Sequence, residues 1–225
     1  MFQIGADWNP KQARLKEIVQ KPDRFSEAID LCLSLHSIVH CSNISPENTA
    51  TFQDEIWEGL TKKAFVTMPT IRDVTIAWNI WHITRIEDIT SNILIHETEQ
   101  VLDDKWLKRL NTNIRDSGNA MTDTEIMALS GSLDMGELRN YRNAVGIKTR
   151  DMLEKLSLFD MKRKIKPESL RKVLDVGGVT EHEDSIWLLD FWGRKTVAGI
   201  LLMPITRHQI VHLNDCMKLK KKIMK

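Results

Sequence analysis

Leu201-Leu-Met-Pro-Ile-Thr-Arg-His-Gln-Ile-Val-His-Leu-Asn214 decides how the rest of the chain reads. Apolar residues recur through it at the 3.6-residue period, which predicts a helix. Pro204 lies inside that helix, where it cannot donate a backbone bond and crowds the preceding turn, so a kink is expected there. His208 and His212 are four residues apart, one turn above each other, and both imidazoles can reach one point in space. An apolar setting holds both rings neutral and ready to ligate a divalent ion.

Outward from this stretch, the last helix spans residues 196–220. Upstream, Trp78-Asn-Ile-Trp-His-Ile-Thr-Arg-Ile-Glu-Asp88 lies in a helix over 75–95, with Trp78, His82, Ile86, Ile89 and Ile93 at helical spacing. If these two helices pack together, three imidazoles converge and coordination positions stay open for water or substrate. A first helix over 24–41 carries Ile29, Cys32, Leu33, His36 and His40 on one stripe and stops at Ser42-Asn-Ile-Ser-Pro46. Another opens at Asp134, where Glu137 follows three residues later, and runs to about 158 with Leu138, Tyr141, Val145, Met152 and Leu156 on one face. Shorter helices are expected over 51–63, 100–110, 123–130 and from Pro167 to the Gly177-Gly178 stop. Strand-like alternation is scarce. The expected architecture is all-α, a four-helix bundle with core helices near 24–41, 75–95, 134–158 and 196–220, with short connecting helices, in a single domain over 1–225.

Lys and Arg number 32 against 31 Asp and Glu, a net charge of +1, which offers no general electrostatic case for nucleic acid or an acidic membrane surface. The one basic cluster, Lys218, Lys220, Lys221, Lys222 and Lys225, reads as a solvated helix end favoured by the dipole. Cys32, Cys41 and Cys216 are odd in number and lack CxxC spacing, so a reducing cytoplasm fits better than a disulfide framework. The N-terminus has no basic region followed by an apolar run, and the longest apolar stretch, 197–205, is far too short for a bilayer. A soluble, cytoplasmic protein is expected.

Random placement of the seven histidines gives about 0.2 pairs at i,i+4 spacing; two occur, His36/His40 and His208/His212. An isolated buried histidine is ordinarily a satisfied core residue, and His82 alone would be read so. Two imidazoles on one apolar face are costly without a shared partner, which favours a metal for His208 and His212. His36 and His40 stand as additional ligands, supporting donors or pocket wall, against the plainer reading of two histidines closing the bundle end partly in water. Glu87 and Asp88 could orient an imidazole or move a proton, against ordinary solvated surface charge. Arg207 could bind an anion or form a surface ion pair. Trp187, Phe191 and Trp192 could line a pocket mouth or simply pack. No phosphate-binding glycine loop, GxSxG, HExxH or CxxC is present.

The blocks 78–88 and 201–214 together resemble the DinB-like superfamily of metal-binding four-helix bundles, most strongly across 75–95 and 187–214. Members place one histidine on the second bundle helix and an HxxxH pair on the last. The resemblance therefore implies His82, His208 and His212 as ligands of a divalent metal such as nickel or zinc. It also implies a cytoplasmic homodimer acting on a small molecule, and some relatives look like transferases or isomerases dependent on a low-molecular-weight thiol such as mycothiol or bacillithiol. Two features depart from the pattern: the His36/His40 pair is extra, and the segment 100–178 is longer than in a minimal member. The leading expectation is a metal-dependent enzyme, thiol transferase-like or hydrolase-like, with catalytic residues unassigned. The rival is a non-catalytic helical protein whose metal is structural or sensory, a dimeric stress-related interaction module.

Overall fold

The computed structural model describes residues 2–46, 48–71 and 73–224. Two helices, α1 (Asn9–Ile18) and α2 (Phe25–Val39), pack against each other near the N-terminus. Two short ones follow, α3 (Phe52–Trp57) and α4 (Lys62–Val66), opened by Thr51 and Thr61, whose hydroxyls accept otherwise unpaired helix N–H groups. Thr75 opens α5 (Ile76–Asp88) in the same way, and a π-helical turn, Ile89–Ile95, prolongs it. Next come α6 (Asp104–Leu110), α7 (Asp123–Ser132) and α8 (Met135–Lys155), capped by Asp103, Thr122 and Asp134. The chain then forms α9 (Pro167–Asp175), α10 (Glu183–Gly193), α11 (Val197–Leu202) and α12 (His208–Ile223). Among the described residues there is no β-strand, only an isolated bridge between Lys164 and Thr196, so the all-helical class stands.

The helix expected over 196–220 is broken. A π-helical segment, Met203–Arg207, joins α11 to α12. Pro204 brings no N–H, and the bend frees carbonyls that side chains then take up. Thr206 Oγ1 donates to the Leu201 carbonyl at 2.8 Å and Gln209 Nε2 to the Pro204 carbonyl at 3.1 Å. The helix expected over 51–63 is likewise divided, because Gly59 adopts a positive φ of 64° between α3 and α4. Helices α1 and α10 were not expected from the periodicity.

Helix α5 occupies the centre: of its residues only Trp78 is partly exposed. It packs against α8 on one side and α12 on another, while α2 lies against α8 and touches α12. One apolar cluster, from Trp8 to Leu219 in sequence, fills the space between them. No helix among the described residues is long and apolar enough to cross a membrane. In the basic C-terminal cluster, Lys220 donates to the Glu55 and Glu58 carbonyls, Lys222 pairs with Asp73 and Lys218 with Asp215; Lys225 lies outside the described residues.

Candidate metal centre

Helix α5 is fastened to the loop that follows α6 by four side chains on one of its faces. Arg85 Nε donates to the Arg115 carbonyl at 2.9 Å, and Trp81 Nε1 to that of Asp116 at 3.1 Å. His82 Nδ1 donates to Ser117 at 2.7 Å and Trp78 Nε1 to Gly118 at 3.2 Å. Four successive backbone carbonyls thus find donors at helix positions i, i+3, i+4 and i+7, which is how a partly buried loop meets its backbone hydrogen-bonding requirement. Gly118 has a φ of 79°, and a Cβ there would stand 2.8 Å from Trp78 Nε1, so the close approach needs glycine.

This arrangement sets the chemistry of His82. With its Nδ1–H given to Ser117, its Nε2 carries a lone pair. His212 is fixed in the same sense: its Nδ1–H donates to Asn79 Oδ1 at 2.7 Å, and Asn79 is held by donating its own amide to the Thr75 carbonyl at 3.1 Å. Trp78 stacks on the His82 ring with centroids 4.8 Å apart and planes within 6°. From the first turn of α12, His208 brings its Nε2 to 3.1 Å from His82 Nε2.

One ligand nitrogen from each of His82, His208 and His212 lies within 4.8 Å of the others. Nitrogens about 2.1 Å from one tetrahedral ion stand about 3.4 Å apart, so the cluster has the dimensions such an ion requires. Burial pushes His82 down to about 3, helped by neighbouring His212. Burial also takes His212 down to about 4 and His208 well below its ordinary value, with the other two rings adding to the latter. Protons are therefore poor occupants of this centre near neutral pH. Neutral imidazole nitrogens that protons contest weakly are what a divalent ion takes, in place of the His82–His208 hydrogen bond, and the residues present fit one.

The expected three-histidine convergence is thus realised in the geometry, through a helix register that Gln209 fixes. Gln209 Nε2 also donates to the carbonyl of Ile83, next to His82, at 3.1 Å, and its Oε1 accepts from Arg142 Nη2 at 2.9 Å. One buried amide therefore ties the His82 turn of α5, the proline bend and the His208 turn of α12.

The three imidazoles form part of the wall of a cavity of about 410 Å³, completed by Trp78, Ile86, Asn119, Trp187, Leu188, Phe191, Trp192, Met203 and Pro204. None of these residues carries a formal charge. The aromatics of α10 thus line a pocket, and Trp187, 48% exposed, stands at its edge. Arg207 is exposed and absent from this wall.

His36 and His40 lie elsewhere. Both are fully buried, neither lines the three-histidine cavity, and they face Glu87 rather than His82, His208 or His212. The solvated readings are overturned for His36, His40, Glu87 and Asp88, all of which have no exposure. Asp88 accepts from Arg85, Tyr141, Asn92 and the backbone N–H groups of Val101 and Leu102, which fixes it structurally. The cysteines are buried thiols. Burial and the Glu87 charge push Cys32 up to about 12, and burial raises Cys216 further, so neither is a thiolate nucleophile near neutral pH. Asn79 and the Ser117 carbonyl escaped the sequence reading. Asn79 had a faint signal, an amide on an otherwise apolar helix; the loop carbonyl had none.

The chain matches no family model and no curated protein sequence.

Proposed function

We propose that this chain is a divalent-metal-dependent enzyme of the DinB-like kind, a single-domain four-helix bundle of α2, α5, α8 and α12 with His82, His208 and His212 as ligands of nickel or zinc. The observation that carries the reading is the placement of three imidazole nitrogens, two with lone pairs fixed by Ser117 and Asn79, in the wall of an uncharged cavity. A structural metal site encloses its ion in protein ligands, whereas a catalytic one leaves a position open. Ligands that also line a cavity favour the second case.

A bound ion would supply Lewis acidity, lowering the pKa of a water or thiol and polarising a substrate oxygen. The protein's own part is orientation and exclusion of water. Ser117 and Asn79 hold the rings of His82 and His212, and Trp78 braces the His82 face. Trp187, Leu188, Phe191 and Trp192 keep the substrate side apolar, which strengthens every electrostatic interaction inside. The wall gives the carboxylates of a charged thiol cofactor no cationic partner. An uncharged apolar substrate, with water as nucleophile, is therefore favoured over transfer of a thiol that bears carboxylates.

The test is elemental analysis of untagged protein beside a His208→Ala/His212→Ala variant. The variant should lose one divalent ion per chain while keeping its helical circular dichroism. In cobalt-loaded protein, added azide or a small thiol should shift the visible bands through the open position. An unshifted spectrum would move the centre to a structural role, and an unchanged metal content would remove the centre.

A further inference from the structure

The second histidine pair has a chemistry of its own. His36, in the last turn of α2, and His40, the extended residue just past its end, stack with ring centroids 4.2 Å apart. Both aim Nε2 at Glu87 of α5, His36 at 2.8 Å from Oε1 and His40 at 2.9 Å from Oε2. All three side chains have no exposure, and one donor atom from each lies within 4.8 Å of the others. Across from them, α8 carries a glycine at position 146. A Cβ there would fall 2.6 Å from both His40 Nδ1 and Ile44 Cδ1, so the absent side chain is what admits the His40 ring.

Glu87 is a carboxylate with no exposure that meets both rings at hydrogen-bonding distance. The guanidinium of Arg142 is near, but its Nη1 stands 3.9 Å from Oε2, beyond hydrogen-bonding distance. Its N–H groups are directed instead at Gln53, Thr84, the Val39 carbonyl and Gln209. A fully buried carboxylate that no guanidinium or ammonium bonds is costly unless positive charge lies among the three groups, as a metal ion or as a proton.

We propose that His36, His40 and Glu87 hold a second divalent cation, in a closed site within the core that is separate from the three-histidine centre. Two imidazole nitrogens and a carboxylate oxygen suit zinc or another first-row divalent ion. Its role is to clamp α2 to α5. Such an ion contributes its binding free energy to folding, because the unfolded chain does not hold these groups together. The competing source of positive charge is a proton on the histidine pair, and metal stoichiometry separates the two.

The experiment strips untagged full-length protein with a chelator, reloads it with zinc, removes free ion and counts zinc per chain. Wild type should hold two ions, Glu87→Gln one, and His208→Ala/His212→Ala one. One ion in wild type and none in His208→Ala/His212→Ala would overturn the second site and leave a proton and hydrogen bonds to close the cluster. That outcome needs no folded Glu87 variant. Two ions retained in His208→Ala/His212→Ala would instead count against the three-histidine centre, so the proposals fail in different ways.

Discussion

At the scale of single residues, the tautomer of each ligand is set by a neighbour, and this yields an expectation for Asn79. Substitution Asn79→Ala removes the acceptor that holds His212 Nδ1–H, and zinc affinity measured by chelator competition should fall about 10- to 100-fold. Unchanged affinity would show that Asn79 does not orient a ligand. Gly146→Ala sets two effects against each other. Alanine in a helix interior is favoured over glycine by about 1 kcal/mol, but here its Cβ lands 2.6 Å from His40 Nδ1 and Ile44 Cδ1. Overpacking costs about 1–3 kcal/mol, so urea denaturation should show net destabilisation, and a stabilised variant would contradict the packing described. The histidines of the centre were legible because helical spacing and burial act together on an aromatic-flanked, otherwise apolar stripe. Glu87 was not, since a carboxylate beside Asp88 ordinarily signals solvent, and only the juxtaposition of α2 with α5 places it against His36 and His40.

At the scale of elements, Gln209 is the cross-link to break. Gln209→Leu removes donors from the Ile83 and Pro204 carbonyls and the acceptor from Arg142, leaving buried polar groups unpaired. Each such loss costs about 1–3 kcal/mol, so a fall in stability of at least that size is expected in urea denaturation; a change within error would mean the ties carry no net energy. The long helices were readable from apolar periodicity and caps, as Asp134 and Glu137 illustrate. Helix α1 was not, because only Leu15 and Ile18 of its ten residues are buried. The break at Met203–Arg207 was anticipated as a kink at Pro204, but the π-helical form depends on Thr206 and Gln209 satisfying the freed carbonyls. The fastening of 115–118 to α5 left no mark in the sequence, since backbone carbonyls are common to all residues.

At the scale of the whole molecule, buried neutral histidines make stability depend on pH. His82, His212 and His40 lie lower when folded, at about 3, 4 and 3, than in an unfolded chain, where histidine titrates near 6.5. Between those values the unfolded state binds more protons, so stability is intact above about pH 6.5 and declines as pH falls toward 3–4. The slope approaches roughly 1.4 kcal/mol per histidine per pH unit, and denaturant midpoints across pH 4–8 would reveal it; a flat profile would contradict the burial of neutral rings. Protons and metal also compete for the same nitrogens, so loaded ion should be released over the same range. The most direct check on the central claim is anomalous diffraction from crystals of zinc-loaded protein at the zinc edge. A peak about 2.1 Å from one ring nitrogen each of His82, His208 and His212, beside the aromatic cavity, is the expected result. Density without a peak there, with His82 Nε2 and His208 Nε2 hydrogen-bonded directly to each other, would contradict it.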